Sequence, residues 1–214
     1  MARRTKEEAA ATRDSILDAA EKLFVEQGVS RTTLQHIASE AGATRGAIYW
    51  HFDDKSALFN AMMDRVRLPL EAELQVLDES ESADPLDDLR NYVMAVLRRT
   101  VNDPQARRVF EIATLKVEFV DEMDAVRQRR QHNINDWMSR AERRVARAVE
   151  KGQIEGTGDA RTVARSMWIM IDGLIRTWMF DPQGFDLIKQ GECMIDPYLN
   201  GLRVGCGKLA DAVK

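Results

Sequence analysis

Apolar positions along this chain recur every three to four residues and almost nowhere every two. That is the helix period, because 3.6 residues return a side chain to the same face, whereas a half-buried strand alternates. Ile16, Leu17, Ala20, Leu23 and Phe24 make a first stripe, with Gly28 as its stop. A second, short helix carries Leu34, Ile37, Ala38 and Ala41 and ends at Gly42, with Thr32 and Gln35 spaced as a capping box at its start. Thr44 is placed to cap a third helix, from Arg45 to about His51. Asp54 is placed to cap a fourth, which carries Leu58, Phe59, Met62, Met63 and Val66 to about Leu77. Pro69 predicts a kink or interruption there, since proline cannot donate to the carbonyl four residues back.

The acidic stretch DESESADP, residues 78–85, reads as a surface loop between long helices. Leu86, Leu89, Val93, Val96 and Leu97 follow as a stripe, then the turn Asn102-Asp103-Pro104 and a helix with Val109, Phe110 and Ile112. A long helix is expected from near Asp121 to Gly152 and Gly156, and another from Asp159 to Phe180, closed by Asp181-Pro182. A last helix runs through Ile188, Ile195, Leu199 and Leu202, with Pro197 against its continuity. The expected fold class is all-α, about nine helices with short connections.

With 214 residues, 44% hydrophobic and 31% charged, the chain suits one sizeable globular domain or two small ones. A net charge of -4 argues against a uniformly basic nucleic-acid coat. Cys193 and Cys206 are far apart and form no C-x-x-C pair, so no disulfide scaffold or metal site is expected, and both read as packing residues. The most apolar segment, SMWIMIDGLIRTWMF, is too short to span a bilayer and is interrupted by Asp172 and Arg176. No apolar core follows the charged start, so no signal peptide and a cytoplasmic location are expected. No nucleophile elbow, H-E-x-x-H, P-loop or Rossmann fingerprint occurs, and His36, His51 and His132 fall in no recognisable triad. Neither catalytic residues nor a cofactor are expected.

The two short helices around Gly42-Ala43-Thr44 have the layout of a helix-turn-helix, whose second helix enters the DNA major groove. Thr44, Arg45, Gly46 and Ala47 would lead it. Gly46 and Ala47 let a backbone come close, and Arg45 suits guanine O6/N7 or a phosphate. Tyr49 and His51 can donate to phosphate oxygens, which fix register, while base edges fix sequence. Taken alone, these aromatic residues suit packing equally well. Ile48 and Phe52, four apart, are expected to face inward. From Gly28 to His51 only Arg31 and Arg45 stand against Glu40, with Arg3, Arg4 and Lys6 ahead.

From Thr12 to Phe59 the chain, TRDSILDAAEKLFVEQGVSRTTLQHIASEAGATRGAIYWHFDDKSALF, resembles the TetR family of bacterial transcriptional repressors. MARRTKEEAAATR and TRGAIYWHF are similar to its AcrR/TtgR-like branch, which represses multidrug efflux pumps; VEFVDEM, RQRRQ and DGLIRTW extend the likeness more weakly. The resemblance implies residues 1–55 as a DNA-binding domain and 56–214 as a ligand-binding and dimerisation domain. It implies DNA contacts at Thr33, Thr44, Arg45, Gly46, Ala47, Tyr49, Trp50, His51 and Lys55. Asp53 departs from the Lys or Asn of many relatives, and would either oppose phosphate or cap the fourth helix.

In DARTVARSMWIMIDGLIRTWMF, helical spacing puts Trp168, Ile171, Asp172, Ile175, Arg176 and Met179 on one face and Met170, Gly173, Leu174 and Thr177 on another. The resemblance assigns one face to a dimer interface, packed with Ile195, Leu199 and Leu202, and the other to an effector cavity. Val96, Phe110, Trp137 and Met167 are the remaining wall candidates, and Asp172 and Arg176 could equally form a buried structural pair. The implied partners are a palindromic double-stranded operator, a second copy of the chain and a small hydrophobic or drug-like effector. The alternative is a regulator of a metabolic operon answering to one metabolite.

Overall fold

A computed structural model describes residues 6–79, 83–118, 123–154 and 159–204. Among these the secondary structure is helical throughout: α1 (Lys6–Gln27), α2 (Leu34–Glu40), α3 (Arg45–His51), α4 (Lys55–Glu79), α5 (Pro85–Asn102), α6 (Pro104–Glu111), a π-helical turn (Ile112–Lys116), α7 (Asp124–Glu150), α8 (Ala160–Phe180) and α9 (Leu187–Val204). The expected all-α class is found. The described residues form two compact units, one within 1–69 and 104–130, the other within 70–103 and 131–214.

In the first unit the stripe of α1 buries Ile16, Leu17, Ala20 and Phe24. They pack with Ile37 and Ala38 of α2, Ile48 and Phe52 of α3, and Leu58, Phe59 and Met62 of α4; the rings of Phe24 and Phe59 lie 6.1 Å apart. Gly28 (φ +84°) and Gly42 (φ +62°) reverse the chain after α1 and α2 in the left-handed region, where a side chain would be strained. The cap of α2 differs from the expectation. Thr33, not Thr32, is the N-cap: its hydroxyl accepts from His36 N at 3.1 Å, while His36 Nδ1 accepts from Thr33 N at 3.5 Å. Thr32 is buried instead and donates its hydroxyl to Gly28 O at 2.7 Å. One residue of register decided this: Thr33 has the extended backbone an N-cap needs, with φ -103° and ψ 157°.

Three further expectations are corrected. Helix α4 is not interrupted at Pro69 but runs on to Glu79, so one missing N–H does not break it. Residues 78–85 are not a loop throughout. Asp84 caps α5 by accepting from Leu86 N and Asp87 N at 3.1 and 3.0 Å, and Pro85 is the first residue of α5. Residues 80–82, 119–122 and Gly156 lie outside the described residues. Helix α9 likewise continues through Pro197. The π-helical turn after α6 was not expected from the periodicity; its last carbonyl, Lys116 O, accepts from Val29 N at 3.0 Å.

The second unit packs α5, α8 and α9 on one another. Leu187, Gly191, Ile195, Leu199 and Leu202 line the inner face of α9. Gly191 permits the close approach to α5, since a Cβ there would sit 2.3 Å from Leu97 Cδ1. Ile195, Leu199 and Leu202 therefore face the interior of their own chain, not an outer surface. The faces of α8 are also redrawn. Val163, Ala164, Met167, Ile171, Leu174 and Trp178 are buried together, while Ile169, Gly173, Arg176, Thr177 and Phe180 are exposed.

Candidate nucleic-acid interface and effector region

Two N-caps and one turn aim α3. Ala41 closes α2 by donating to Ile37 O, Ala43 N reaches back to Ala38 O at 2.9 Å, and Ser15 of α1 donates to Ala41 O at 3.4 Å. Thr44 Oγ1 then accepts from Ala47 N at 3.2 Å and starts α3. Ile48 and Phe52 face inward, as their spacing predicts, and the Arg13 guanidinium of α1 lies 5.3 Å over the Phe52 ring. With one side of α3 so fixed, its helical period turns Arg45, Gly46, Tyr49 and Trp50 to solvent.

Exposure answers the packing question for this stretch. Trp50 is 72% exposed and Tyr49 47%, so neither is a core residue, and His51 is half-buried with the Trp50 ring edge-on at 4.5 Å. Thr33, Thr44, Arg45 and Gly46 are exposed and Ala47 is half-buried. A Cβ built on Gly46 would meet nothing closer than Thr44 Oγ1 at 3.9 Å, so packing within the protein does not demand glycine there. Lys55 stands apart from this group. It is 7% exposed and its ammonium donates to Thr32 O at 3.2 Å. Asp53 is exposed and is not the cap of α4; Asp54 holds that place, accepting from Ala57 N at 2.7 Å.

In the same unit an ion-pair cluster joins α1, α4 and α6, and spacing alone did not reveal it. Arg65 of α4 donates to Asp18 Oδ1 at 2.5 Å, Asp14 Oδ1 at 3.1 Å and Glu21 Oε1 at 3.1 Å, three carboxylates on successive turns of α1. Glu21 is buried and also accepts from Gln105 Nε2 of α6 at 3.2 Å. Burial pushes the Glu21 carboxyl above the usual glutamate range, although Arg65, Gln105 and Arg108 pull the other way. Desolvation weighs against the charge of Arg65, but its bonds to Asp18, Asp14 and Glu21 together raise its pKa.

In the second unit the expected effector residues come together only in part. Trp137 of α7 and Trp168 of α8 stack at a tilt with ring centroids 5.4 Å apart. Val96, Met167 and Ile171 are buried, and Ile175 and Trp168 are half-buried. Asp172 and Arg176 do pair, at 3.5 Å, but their side chains are 35% and 45% exposed, so the expected buried charge pair is not found within the chain. Phe110 is half-buried on α6 and belongs to the first unit. Two arginines of α7 pair with carboxylates on other helices. Arg129 binds Asp64 at 2.8 Å and Arg144 binds Asp88 at 2.8 Å, in keeping with the reading of a salt-bridged face.

A short, capped helix presented by an all-helical unit, with its core side anchored and its other side open, defines a helix-turn-helix protein of the DNA-binding class. The chain belongs to the TetR family of ligand-responsive bacterial transcriptional repressors. Residues 16–62 match the family of bacterial regulatory proteins named for tetR, and residues 84–204 match the MAATS-type transcriptional repressor, C-terminal region. It is 41% identical over 204 residues to the HTH-type transcriptional regulator TtgR of Pseudomonas putida, covering 95% of this chain and 97% of that one. Among solved structures it is similar to NalD, the secondary repressor of the MexAB-OprM multidrug efflux pump in Pseudomonas aeruginosa, with a TM-score of 0.85, 35% identity and 92% and 98% of the two chains covered. It is also similar to SmeT in complex with triclosan, with a TM-score of 0.81, 34% identity and coverage of 89% and 91%. SmeT is the repressor of the Stenotrophomonas maltophilia multidrug efflux pump SmeDEF. None of the described helices is long and apolar enough to cross a membrane.

Proposed function

We propose that this chain is a cytoplasmic, homodimeric repressor of a multidrug efflux operon, released from a palindromic operator by small hydrophobic or amphipathic compounds. The open side of α3 carries the DNA part of this reading. Arg45, Gly46, Tyr49 and Trp50 have no role in the core, and they are the residue types that read a groove and its phosphates. Thr33, Thr44, Ala47 and His51 complete the surface, and residues 1–55 hold it. Lys55 is buried and tied to Thr32 O, so its part is to hold the start of α4. The exposed apolar side chains Ile169 and Phe180 of α8, Phe180 at 73%, support a second copy of the chain as their cover. A two-fold protein reads two half-sites about 34 Å apart, one helical turn.

The effector part rests on the likeness to TtgR, NalD and triclosan-bound SmeT, and on the aromatic and apolar group Trp137, Trp168, Met167, Ile171, Ile175 and Val96 within residues 56–214. Helix α4 runs from the first unit into the second at Pro69, so one continuous element can respond to an effector and reposition α3. The effector must bind the DNA-incompetent state better; differential affinity is the only source of the switch. A preference of ~100-fold supplies about 2.7 kcal/mol.

Selection of bound duplexes from a random pool tests the DNA reading; a palindrome is expected, and an asymmetric or unenriched pool refutes it. Fluorescence anisotropy on that palindrome, titrated with chemically unlike efflux substrates, tests the effector reading. Several should lower the DNA affinity. Constant affinity across the series removes the multidrug assignment, and a response to one metabolite alone identifies a metabolic regulator.

A further inference from the structure

Most arginines of the described helices face a carboxylate; Arg65, Arg67, Arg90, Arg129, Arg140, Arg144 and Arg203 all do so within 3.1 Å. Arg45, like Arg13 over Phe52, instead faces an aromatic ring: its guanidinium carbon lies 5.6 Å from the centroid of Tyr49, one helical turn on. Both residues are on the open side of α3, and the tyrosine edge is already half in solvent. We propose that Tyr49 is a positioning residue for base reading: its ring holds the Arg45 guanidinium in the orientation that contacts the operator's base edges.

The chemistry favours a stack over a salt bridge at this place. A carboxylate would occupy the guanidinium's N–H edge and put a negative charge beside phosphates. A ring stacked on the flat face of the guanidinium leaves its in-plane N–H donors free for a bidentate contact to guanine. Holding a long side chain before DNA arrives also lowers the ordering cost of binding. The spacing of four places the two side chains on one helix face, and Ile48 and Phe52, anchored in the core, fix that face outward. Lysine could not substitute, since it lacks the planar fork.

The proposal rests on α3 being the recognition helix, and the test separates the two. The full-length chain and its Tyr49→Phe, Tyr49→Leu, Arg45→Ala and Tyr49→Leu/Arg45→Ala variants are titrated against the selected palindrome and its single base-pair substitutions at one salt concentration. Arg45→Ala should flatten discrimination at one base pair per half-site. Tyr49→Leu should reduce discrimination at the same base pair by about 5-fold or more, the low end for a good bidentate contact. Tyr49→Phe, which keeps the ring and loses only the hydroxyl, should retain the full preference with a uniform loss of affinity. The double variant should discriminate no worse than Arg45→Ala alone. If Tyr49→Leu weakens every site alike and keeps the preference that Arg45→Ala removes, Tyr49 is a phosphate contact and the positioning role is overturned. If Tyr49→Phe loses the preference as Tyr49→Leu does, the hydroxyl and not the ring is responsible, and the proposal fails. If Arg45→Ala leaves every preference intact, the base-reading role of Arg45 fails first and takes the proposal with it.

Discussion

Gly46→Ala separates what the fold requires from what the operator requires. The change adds one methyl group at the second residue of α3. That methyl would have Thr44 Oγ1 at 3.9 Å as its nearest neighbour, an ordinary contact, and Gly46 is not among the positive-φ glycines. The folded protein therefore accepts alanine, and reduced freedom of the unfolded chain should stabilise it by up to about 1 kcal/mol. For a chain of this size that is a rise in Tm of at most about 4 °C. DNA binding should move the other way. A methyl group forced into a closely packed contact costs about 1–3 kcal/mol. Two half-sites double the cost, so operator affinity should fall by a factor of at least about 30. Thermal denaturation and operator anisotropy on the same preparation read both effects. Unchanged affinity would refute a close backbone approach at Gly46, and a marked drop in Tm would show that the fold itself needs the glycine.

Other consequences concern the frame around that helix. Thr33→Ala should cost about 1 kcal/mol of stability in chemical denaturation by removing the cap of α2, since Thr33 holds His36 N. Gly191→Ala should destabilise by about 1–3 kcal/mol because its methyl would collide with Leu97, whereas Gly201→Ala, with nothing within 4 Å, should not; equal melting of the two variants would contradict the α5–α9 packing. The hydrogen bond from Arg90 lowers the pKa of Asp196. Asp84 is lowered too: burial opposes this, but the backbone N–H of Asp87 and Arg203 outweigh it. Both therefore favour folding above the ordinary aspartate value of about 4, and that stability is lost as pH falls through their depressed values. Asp196→Asn should flatten the acid limb of a pH–stability curve; an unchanged limb would mean the pair contributes nothing. Glu21 runs in the opposite sense, because its raised pKa favours the fold as pH falls.

Local signals carried far. The stops at Gly28 and Gly42, the caps at Thr44 and Asp54, and the inward pair Ile48 and Phe52 all depend on a few neighbouring residues, and all stand as read. Failures of local reading came where one residue of register or one proline was weighed without its surroundings. Thr33 displaced Thr32 as a cap, and α4 and α9 continue through Pro69 and Pro197.

What the chain alone determines is therefore the helix frame, the candidate recognition helix from Thr44 to His51 and the membership of its family, because caps, stops and periodicity act within about one helical turn. Tertiary structure decides the rest. It turns Ile195, Leu199 and Leu202 toward their own chain, and leaves Asp172 and Arg176 partly open. It spends Lys55 on Thr32 O, and gathers Asp14, Asp18 and Glu21 on a single guanidinium 44 to 51 residues away. The physical reason is that a side chain's face follows from its helical period, whereas what covers that face is another helix, brought there by packing between residues distant in sequence.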